Sequence, residues 1–484
     1  MQLKDLIAKF NYRQIVGDAG VEISGLTYDS RKVKSGDLFF CIKGFKVDGH
    51  SFACKACEMG AAAIVVEEIQ PDLSVAQIVV DNTRYAMAHL SSAFFGNPTQ
   101  KLKLIGITGT NGKTTTSFMV ESILRSAGYK TGLIGTIEYR IIDEKIPVDR
   151  TTPESLDLQR LFAKMVDAGV EAVAMEVSSH AIDLFRTEAC NFDVLVFTNL
   201  SQDHLDYHES LDEYFKVKSR VFSDTPYAIQ VINADDEYGC LLIGKGKEQL
   251  RYSIKDKVEL YANNILLKPD GSDVTLHIHD RSMRVSLKLP GLYNVYNALA
   301  AAGSTSALGI GDGQIKIGLE SLDLVPGRFE RVDCGQDFTV IVDYAHTPDS
   351  LEKVLTAARQ LAKGRLLAVF GCGGDRDKSK RPLMGKVAAE LSDHVIITSD
   401  NPRSEGPIKI IDEIISGIKK VGNVSYEIEE DRKVAIKKAI RMAKEGDFIV
   451  IAGKGHESGQ EIAGKKIPFD DVKVAKELLG ERLL

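Results

Sequence analysis

Along most of the chain, short apolar runs rich in Val, Ile, Leu and Phe alternate with longer stretches whose apolar positions recur at helical spacing. From about residue 99 to 326 the short runs are KLKLIGITG, TGLIGT, EAVAMEVSS, FDVLVFTNL and YAIQVINAD. A strand covered on both faces reads as an unbroken apolar run, so this stretch predicts a mostly parallel sheet flanked by helices. Ligands of such sheets gather at the carboxyl ends of the strands. Residues 1–98 give a compact αβ pattern, with GDLFFCIKG as a strand and its turn, HSFACKACEMGAAAIVVEE as a helix running into a strand, and Asn97-Pro98 as the closing punctuation. After Val325-Pro326-Gly327 come FTVIVDYA, RLLAVFGC, HVIITSD and DFIVIAG, which predict a smaller doubly wound domain. The expected fold is α/β with three domains: a small N-terminal αβ domain (1–98), a central mostly parallel sheet domain (99–326) and a C-terminal doubly wound domain (327–484).

Composition agrees with several folded domains, since 484 residues exceed what one hydrophobic core organises. The net charge of -7 leaves no global positive field for nucleic acid or an anionic membrane, so any anionic ligand must be held by local sites. The stretch Met1 to Gln14 has no signal-peptide core, and no run is long enough to span a bilayer. Among the seven cysteines only Cys54 and Cys57 are close, without a second pair at zinc spacing; reduced, buried thiols are expected. The absence of a signal or spanning segment and of a disulfide or zinc pattern implies a cytoplasmic protein; the sequence leaves the oligomeric state open, with a monomer favoured.

One segment carries explicit chemistry. In GITGTNGKTTT an apolar strand runs into Gly109, Thr110, Asn111, Gly112, Lys113, Thr114 and Thr115, followed by the helical pattern SFMVESILRSAG. Glycines let backbone N–H groups approach phosphate oxygens, the helix start favours negative charge, Lys113 reaches the terminal phosphates and the Thr114 hydroxyl suits Mg²⁺. Counted from Gly109 the loop is two residues shorter between its glycines than the common pattern, and counted from Gly106 it is longer. The bland reading is a glycine-rich turn with an incidental lysine. Glu176 closes the strand EAVAMEV, and His204 follows FDVLVFTNL, so both fall at carboxyl ends of strands. Either alone would serve as a hydrogen-bonded loop residue; beside a phosphate loop they suit Mg²⁺ around ATP.

GTNGKTT, EVSSH, TNLSQDHLDYH, GLYNVYNALAA, PGRFE, VDYAHTPDS and GCGGDRDKSKRP, in this order, resemble the Mur ligase family over essentially the whole chain. The resemblance implies a first domain for the UDP end of the substrate, a second for ATP and a third for the incoming amino acid. TSDNPR and GKGHE point within the family to the addition of meso-diaminopimelate to UDP-N-acetylmuramoyl-L-alanyl-D-glutamate. Carried over by position, the resemblance implies UDP-substrate contacts at Ser30, Thr151, Thr152, Ser179 and Arg186, with Leu184 where family members often have glutamine. It implies an adenine contact at Asn297 and contacts to the phosphate and ribose portion of ATP at Arg328 and Asp343. Lys218 matches a lysine that the family carries as a carbamate; its own spacing reads as a solvated cation. Arg376, Asp400, Asn401, Pro402, Arg403, Gly453 and Glu457 match diaminopimelate contacts, with the Arg403 guanidinium suited to the second carboxylate. The bland alternative is an Asn401-Pro402 turn carrying a solvated Arg403.

The implied reaction is attack of the D-glutamate γ-carboxylate on the ATP γ-phosphate, followed by displacement of phosphate by the amine. Lys113 and two Mg²⁺ ions would stabilise the charge, Thr114 and Glu176 holding one ion, and His204 with the Lys218 carbamate the other. Competing readings are an L-lysine-adding ligase, a folylpolyglutamate synthetase and a non-catalytic ATP-driven switch. DNPR, GKGHE and the first 98 residues weigh against the synthetase, and retention of every phosphate and metal candidate weighs against the switch.

Overall fold

The computed structural model describes residues 1–148, 150–422 and 424–483. Two compact units interleave along the chain: Met1–Thr108 with Gly128–Leu195 and Arg220–Ala228, and Gly109–Ala127 with Val196–Ser219 and Ile229–Leu484.

In the first unit a five-stranded sheet has the order Gln14–Val16, Ala76–Val79, Ala63–Val66, Asp37–Phe40, Gly25–Thr27. The first pair is antiparallel and the others parallel. Asp37–Phe40 and Ala63–Val66 are buried along their whole length, as their unbroken apolar sequences require. Leu38, Phe40, Val65 and Ile78 share a core with Ala86, Met87 and Leu90 of the helix Thr83–Phe94, capped by Asn82. CKAC lies on the helix Ala53–Glu58, where Cys54 is exposed and Cys57 half-buried, which corrects the expectation of buried thiols there. The pair sits on the outer side of a short helix whose buried residues are Ala53 and Ala56. Further along the same unit, Lys103–Thr108 pairs in parallel with Ala172–Glu176, which pairs in parallel with Thr131–Ile134.

The second unit opens with the helix Lys113–Ser126. Its strands Ile229–Asn233, Gln249–Ser253 and Leu260–Lys268 run parallel. An antiparallel meander, Leu260–Lys268, Gly271–Ile278 and Arg281–Leu287, continues from them. The last strand alternates exposed and buried positions, the pattern of a sheet with one face in water, so unbroken apolar runs did not reveal it.

The remaining sheet has six strands in the order Glu330–Arg331, Thr339–Asp343, Phe448–Ala452, Leu366–Phe370, His394–Ile397, Tyr426–Ile428. All pairs but the first are parallel. One face packs on Leu351, Met384 and Ile414 of the helices Pro348–Leu361, Lys380–Leu391 and Pro407–Ile418. The other packs on Ile436 and Leu478 of Arg432–Met442 and Asp471–Leu483. Both faces are therefore covered, and the doubly wound arrangement places the loops after residues 343, 370, 397 and 452 at one end of the sheet.

Candidate functional site

The phosphate loop is shaped by its backbone. Gly109 (φ +143°) and Gly112 (φ +88°) adopt left-handed conformations. A side chain at Gly109 would strike Thr198 Oγ1 and the Asn199 carbonyl, and one at Gly112 would come within 2.5 Å of Asn297 Oδ1. Asn199 and Thr198 brace the loop: Asn111 N donates to Asn199 Oδ1 (3.0 Å), and Thr198 Oγ1 donates to the Asn111 carbonyl (2.7 Å). Lys113 Nζ donates to the carbonyls of Gly109 (2.9 Å) and Thr110 (2.8 Å). Its ammonium is thus held over the loop at the start of Lys113–Ser126, where the helix dipole also favours an anion.

Lys218 is buried and donates to the same Gly109 carbonyl at 3.0 Å, with Nζ 4.7 Å from the centre of the Tyr214 ring. Burial, followed by the Lys113 charge, pushes its amine well below the ordinary lysine range, against the pull of Asp203. The solvated cation suggested by its helical spacing is therefore not what the fold makes of it.

Asn297 and Arg328 also meet the loop. Thr116 Oγ1 donates to Asn297 Oδ1 (3.4 Å), while Arg328 donates to Thr114 Oγ1 (3.2 Å) and stacks over Tyr344 at 4.5 Å. Asp343 has a different immediate task. Its carboxylate accepts from the backbone N–H groups of Phe329 (2.7 Å) and Ala345 (2.8 Å), tying PGRFE to VDYAH, and burial raises its pKa.

One pocket in this unit has Asp203, His204, Arg376, Asp400, Asn401, Arg403, Gly453 and Glu457 among its walls. Every residue matched to diaminopimelate except Pro402 therefore lines one cavity together with His204. Arg403 is mostly covered, its side chain 22% exposed. It holds φ +53°, donates to the Gly374 carbonyl (2.6 Å) and pairs with Glu461 (3.3 Å). Its backbone N–H donates to the Glu461 carbonyl and its own carbonyl accepts from Ala463, which seats it against the hairpin Gly459–Ile462 and Lys465–Pro468. A freely solvated cation is excluded by these contacts.

The pocket also contains Tyr344, His346, Gly373 and Lys380, none singled out individually from sequence. Their signal was present in VDYAHTPDS and GCGGDRDKSKRP, but it gave no direction for the side chains. Asp203 is their electrostatic centre, with His204 Nε2 at 3.4 Å and His346 Nε2 at 3.8 Å. Burial alone would raise its pKa, yet His204, His346 and Lys380 hold it below the usual carboxylate range. Burial lowers His346 despite Asp203, and its Nδ1 lies 2.8 Å from the Tyr344 carbonyl; that nitrogen therefore carries the proton.

The UDP-substrate candidates fall in the first unit. Glu176 is fully buried there, with Ile107 as its register partner, and its carboxylate accepts from Thr136 N (2.8 Å) and Oγ1 (3.0 Å). Thr152 Oγ1 donates to the Glu176 carbonyl (2.9 Å), Thr151 Oγ1 lies 3.1 Å from Thr136 Oγ1, and Arg186 donates to the Thr152 carbonyl (3.1 Å) while pairing with Glu154 (2.9 Å). Ser179 begins the helix Ser179–Asp183, capped by Ser178, and Ser30 is buried after the strand Gly25–Thr27. Among the described residues no group of three or more His, Cys, Asp and Glu side chains is arranged as a metal cluster, and no helix is long and apolar enough to cross a membrane.

Residues 22–95 match the Mur ligase family catalytic domain, 107–305 the Mur ligase middle domain and 327–455 the Mur ligase glutamate ligase domain. A relative from Clostridium acetobutylicum, UDP-N-acetylmuramoyl-L-alanyl-D-glutamate--2,6-diaminopimelate ligase 1, is 48% identical over 99% of this chain and 100% of its own length. A solved structure of a UDP-N-acetylmuramoyl-L-alanyl-D-glutamate--2,6-diaminopimelate ligase is 31% identical with a TM-score of 0.72, covering 100% of this chain and 99% of that one. The MurF ligase from Thermotoga maritima, solved in complex with ADP, shares the fold at 19% identity and a TM-score of 0.67, over 96% of this chain and 98% of that one. With three domain matches in sequence order and a full-length relative at this identity, the chain belongs to the Mur ligase family.

Proposed function

We propose that the chain uses ATP to join meso-diaminopimelate to UDP-N-acetylmuramoyl-L-alanyl-D-glutamate, forming an amide and releasing ADP and phosphate. The observation that carries this reading is the pocket in which Asp203 and His204 share walls with Arg376, Asn401, Arg403 and Glu457. Such a cavity offers guanidinium groups for the second carboxylate of the amino acid and a carboxylate for the neighbouring ammonium. The names of the full-length relative and of the 31% identical structure support the same substrates.

In this reading the division of labour is 1–98 for the UDP end, 99–326 for ATP and 327–484 for the amino acid. Ser30, Thr151, Thr152, Ser179 and Arg186 hold the UDP-linked dipeptide. Lys113 and the loop N–H groups balance the charge that builds as the γ-carboxylate attacks the γ-phosphate and the amine then displaces phosphate. Mg²⁺, when bound, neutralises phosphate charge. Thr114 and His204 are candidate ligands beside the loop, with Glu176 the carboxylate candidate of the first unit. The unmodified Lys218 amine does not fit a cation, whereas its carbamate does; the depressed amine pKa favours the neutral form that captures CO₂.

The test is phosphate release with ATP and the UDP-linked dipeptide, offered a panel of amino acids. Release that requires the dipeptide and is strongest with meso-diaminopimelate is expected. Equal turnover with L-lysine overturns the amino-acid assignment, and release without any amino acid overturns the ligase reading.

A further inference from the structure

Within GKGHE, the resemblance assigns roles to Gly453 and Glu457 and none to the lysine between them. Gly453 (φ +113°) lies where a side chain would meet Asp400 Oδ2 at 2.5 Å, and Gly455 (φ +51°) lies against Tyr344 and the Gly327 carbonyl. With the backbone pressed against the protein on both sides, Lys454 points inward and is completely buried. It does not line the pocket.

Its contacts form a directed chain. Lys454 Nζ donates to Asn401 Oδ1 (3.0 Å) and Glu457 Oε2 (2.9 Å). Asn401 Oδ1 also accepts from the Glu461 N–H (2.9 Å), and Asn401 Nδ2 donates to Glu457 Oε2 (2.8 Å). An ammonium only donates, so the amide oxygen must face Lys454 and the amide nitrogen must face Glu457. Exchanging the two ends of the amide would set N–H groups against the ammonium and leave a carbonyl against a carboxylate. Glu457 Oε2 is consequently held by two donors, while among the described residues none donates to Oε1, on a side chain that reaches the pocket.

We propose that Lys454 is a positioning residue for amino-acid recognition: its buried ammonium fixes the Asn401 amide and, through it, the Glu457 carboxylate presented to the ammonium of the incoming amino acid. This rests on the reading of the pocket given above. Lys454 touches no substrate. It couples the DNPR and GKGHE loops, which are separated by half a hundred residues in sequence, into one recognition surface.

Steady-state kinetics on the full chain test the role. Lys454→Met should raise KM for meso-diaminopimelate at least about tenfold, the scale of a lost charge-assisted hydrogen bond, with a smaller change in kcat and unchanged KM for ATP and the UDP-linked dipeptide. Lys454→Gln, which keeps a donor toward Asn401, should show a smaller rise of the same kind. Added to Glu457→Gln, the Lys454→Met change should have little further effect on that KM, because its route of action is already broken. Wild-type turnover with meso-diaminopimelate is the prerequisite, and its absence would falsify the substrate reading. If wild type turns over but the variants keep its KM, if all three KM values rise together, or if the two substitutions act additively, the role of Lys454 is overturned. Failure of both Lys454 variants to fold or bind ADP overturns it too, since the lysine would then serve stability alone.

Discussion

The phosphate loop and the pocket proposed for the amino acid lie in the same unit but are built differently. The loop is one contiguous stretch whose shape is fixed by two left-handed glycines and by hydrogen bonds between the Asn111 backbone and the side chains of Thr198 and Asn199. The pocket is walled by side chains around residues 203, 345, 376, 401 and 455, and its geometry depends on polar contacts such as Arg403 to Gly374 and Asn401 to Glu457. Backbone cradles leave little room for variation, because no side chain can replace a missing N–H or fill a glycine's place. A wall of side chains can change one residue at a time, so selectivity can shift while the chemistry behind it persists. Damage to the loop should therefore abolish turnover with every amino acid, and damage to Arg403 or its neighbours in the pocket should weaken the use of meso-diaminopimelate while leaving the nucleotide site intact.

The largest effect should come from Lys113→Ala, with ligation falling by roughly 10²–10³-fold or more while the thermal unfolding midpoint barely moves. Near-normal turnover in the folded variant would erase the distinction between the two regions. Lys218→Ala should also be inactive, yet partly rescued by small carboxylates that replace the carbamate, with intact-protein mass spectrometry showing a CO₂ adduct on Lys218 in active wild type. An unmodified lysine in fully active enzyme would remove Lys218 from the catalytic group.

On the pocket side, Arg403→Ala should raise KM for meso-diaminopimelate by about one to two orders of magnitude, since a carboxylate is left without its guanidinium. ADP binding measured by calorimetry should be unchanged, and a matching loss of ADP affinity would mean that the regions are not separable. The smallest effect should follow Glu461→Gln. Its carboxylate is 47% exposed and 3.3 Å from Arg403, and partly exposed pairs contribute about 1 kcal/mol or less. A KM change within about fivefold is expected from competition assays against L-lysine. A loss as large as that of Arg403→Ala would make Glu461, and not the arginine alone, the carboxylate-reading element.

Much of this was legible in the chain. FTVIVDYA, RLLAVFGC, HVIITSD and DFIVIAG each became a buried strand, and SFMVESILRSAG became the helix behind the phosphate loop. Residues near the meander were not, because Arg281–Leu287 alternates exposed and buried positions and lacks a long apolar run. Lys218 was opaque for another reason: an amphipathic helix places a lysine on a face, but only the packed neighbours decide whether that face meets water or the Gly109 carbonyl.

By itself the sequence determined the elements and the phosphate loop, because both depend on interactions between near neighbours: apolar periodicity, glycine conformations and a helix start following a strand. The tertiary structure alone decided the pocket. Phe448–Ala452, the last core strand of its sheet in chain order, inserts between Thr339–Asp343 and Leu366–Phe370, with His394–Ile397 next in line. That order brings GKGHE against DNPR and turns Lys454 inward onto Asn401 and Glu457. Strand order is settled by which faces can be buried together across the whole sheet, a competition among distant segments that no local pattern records.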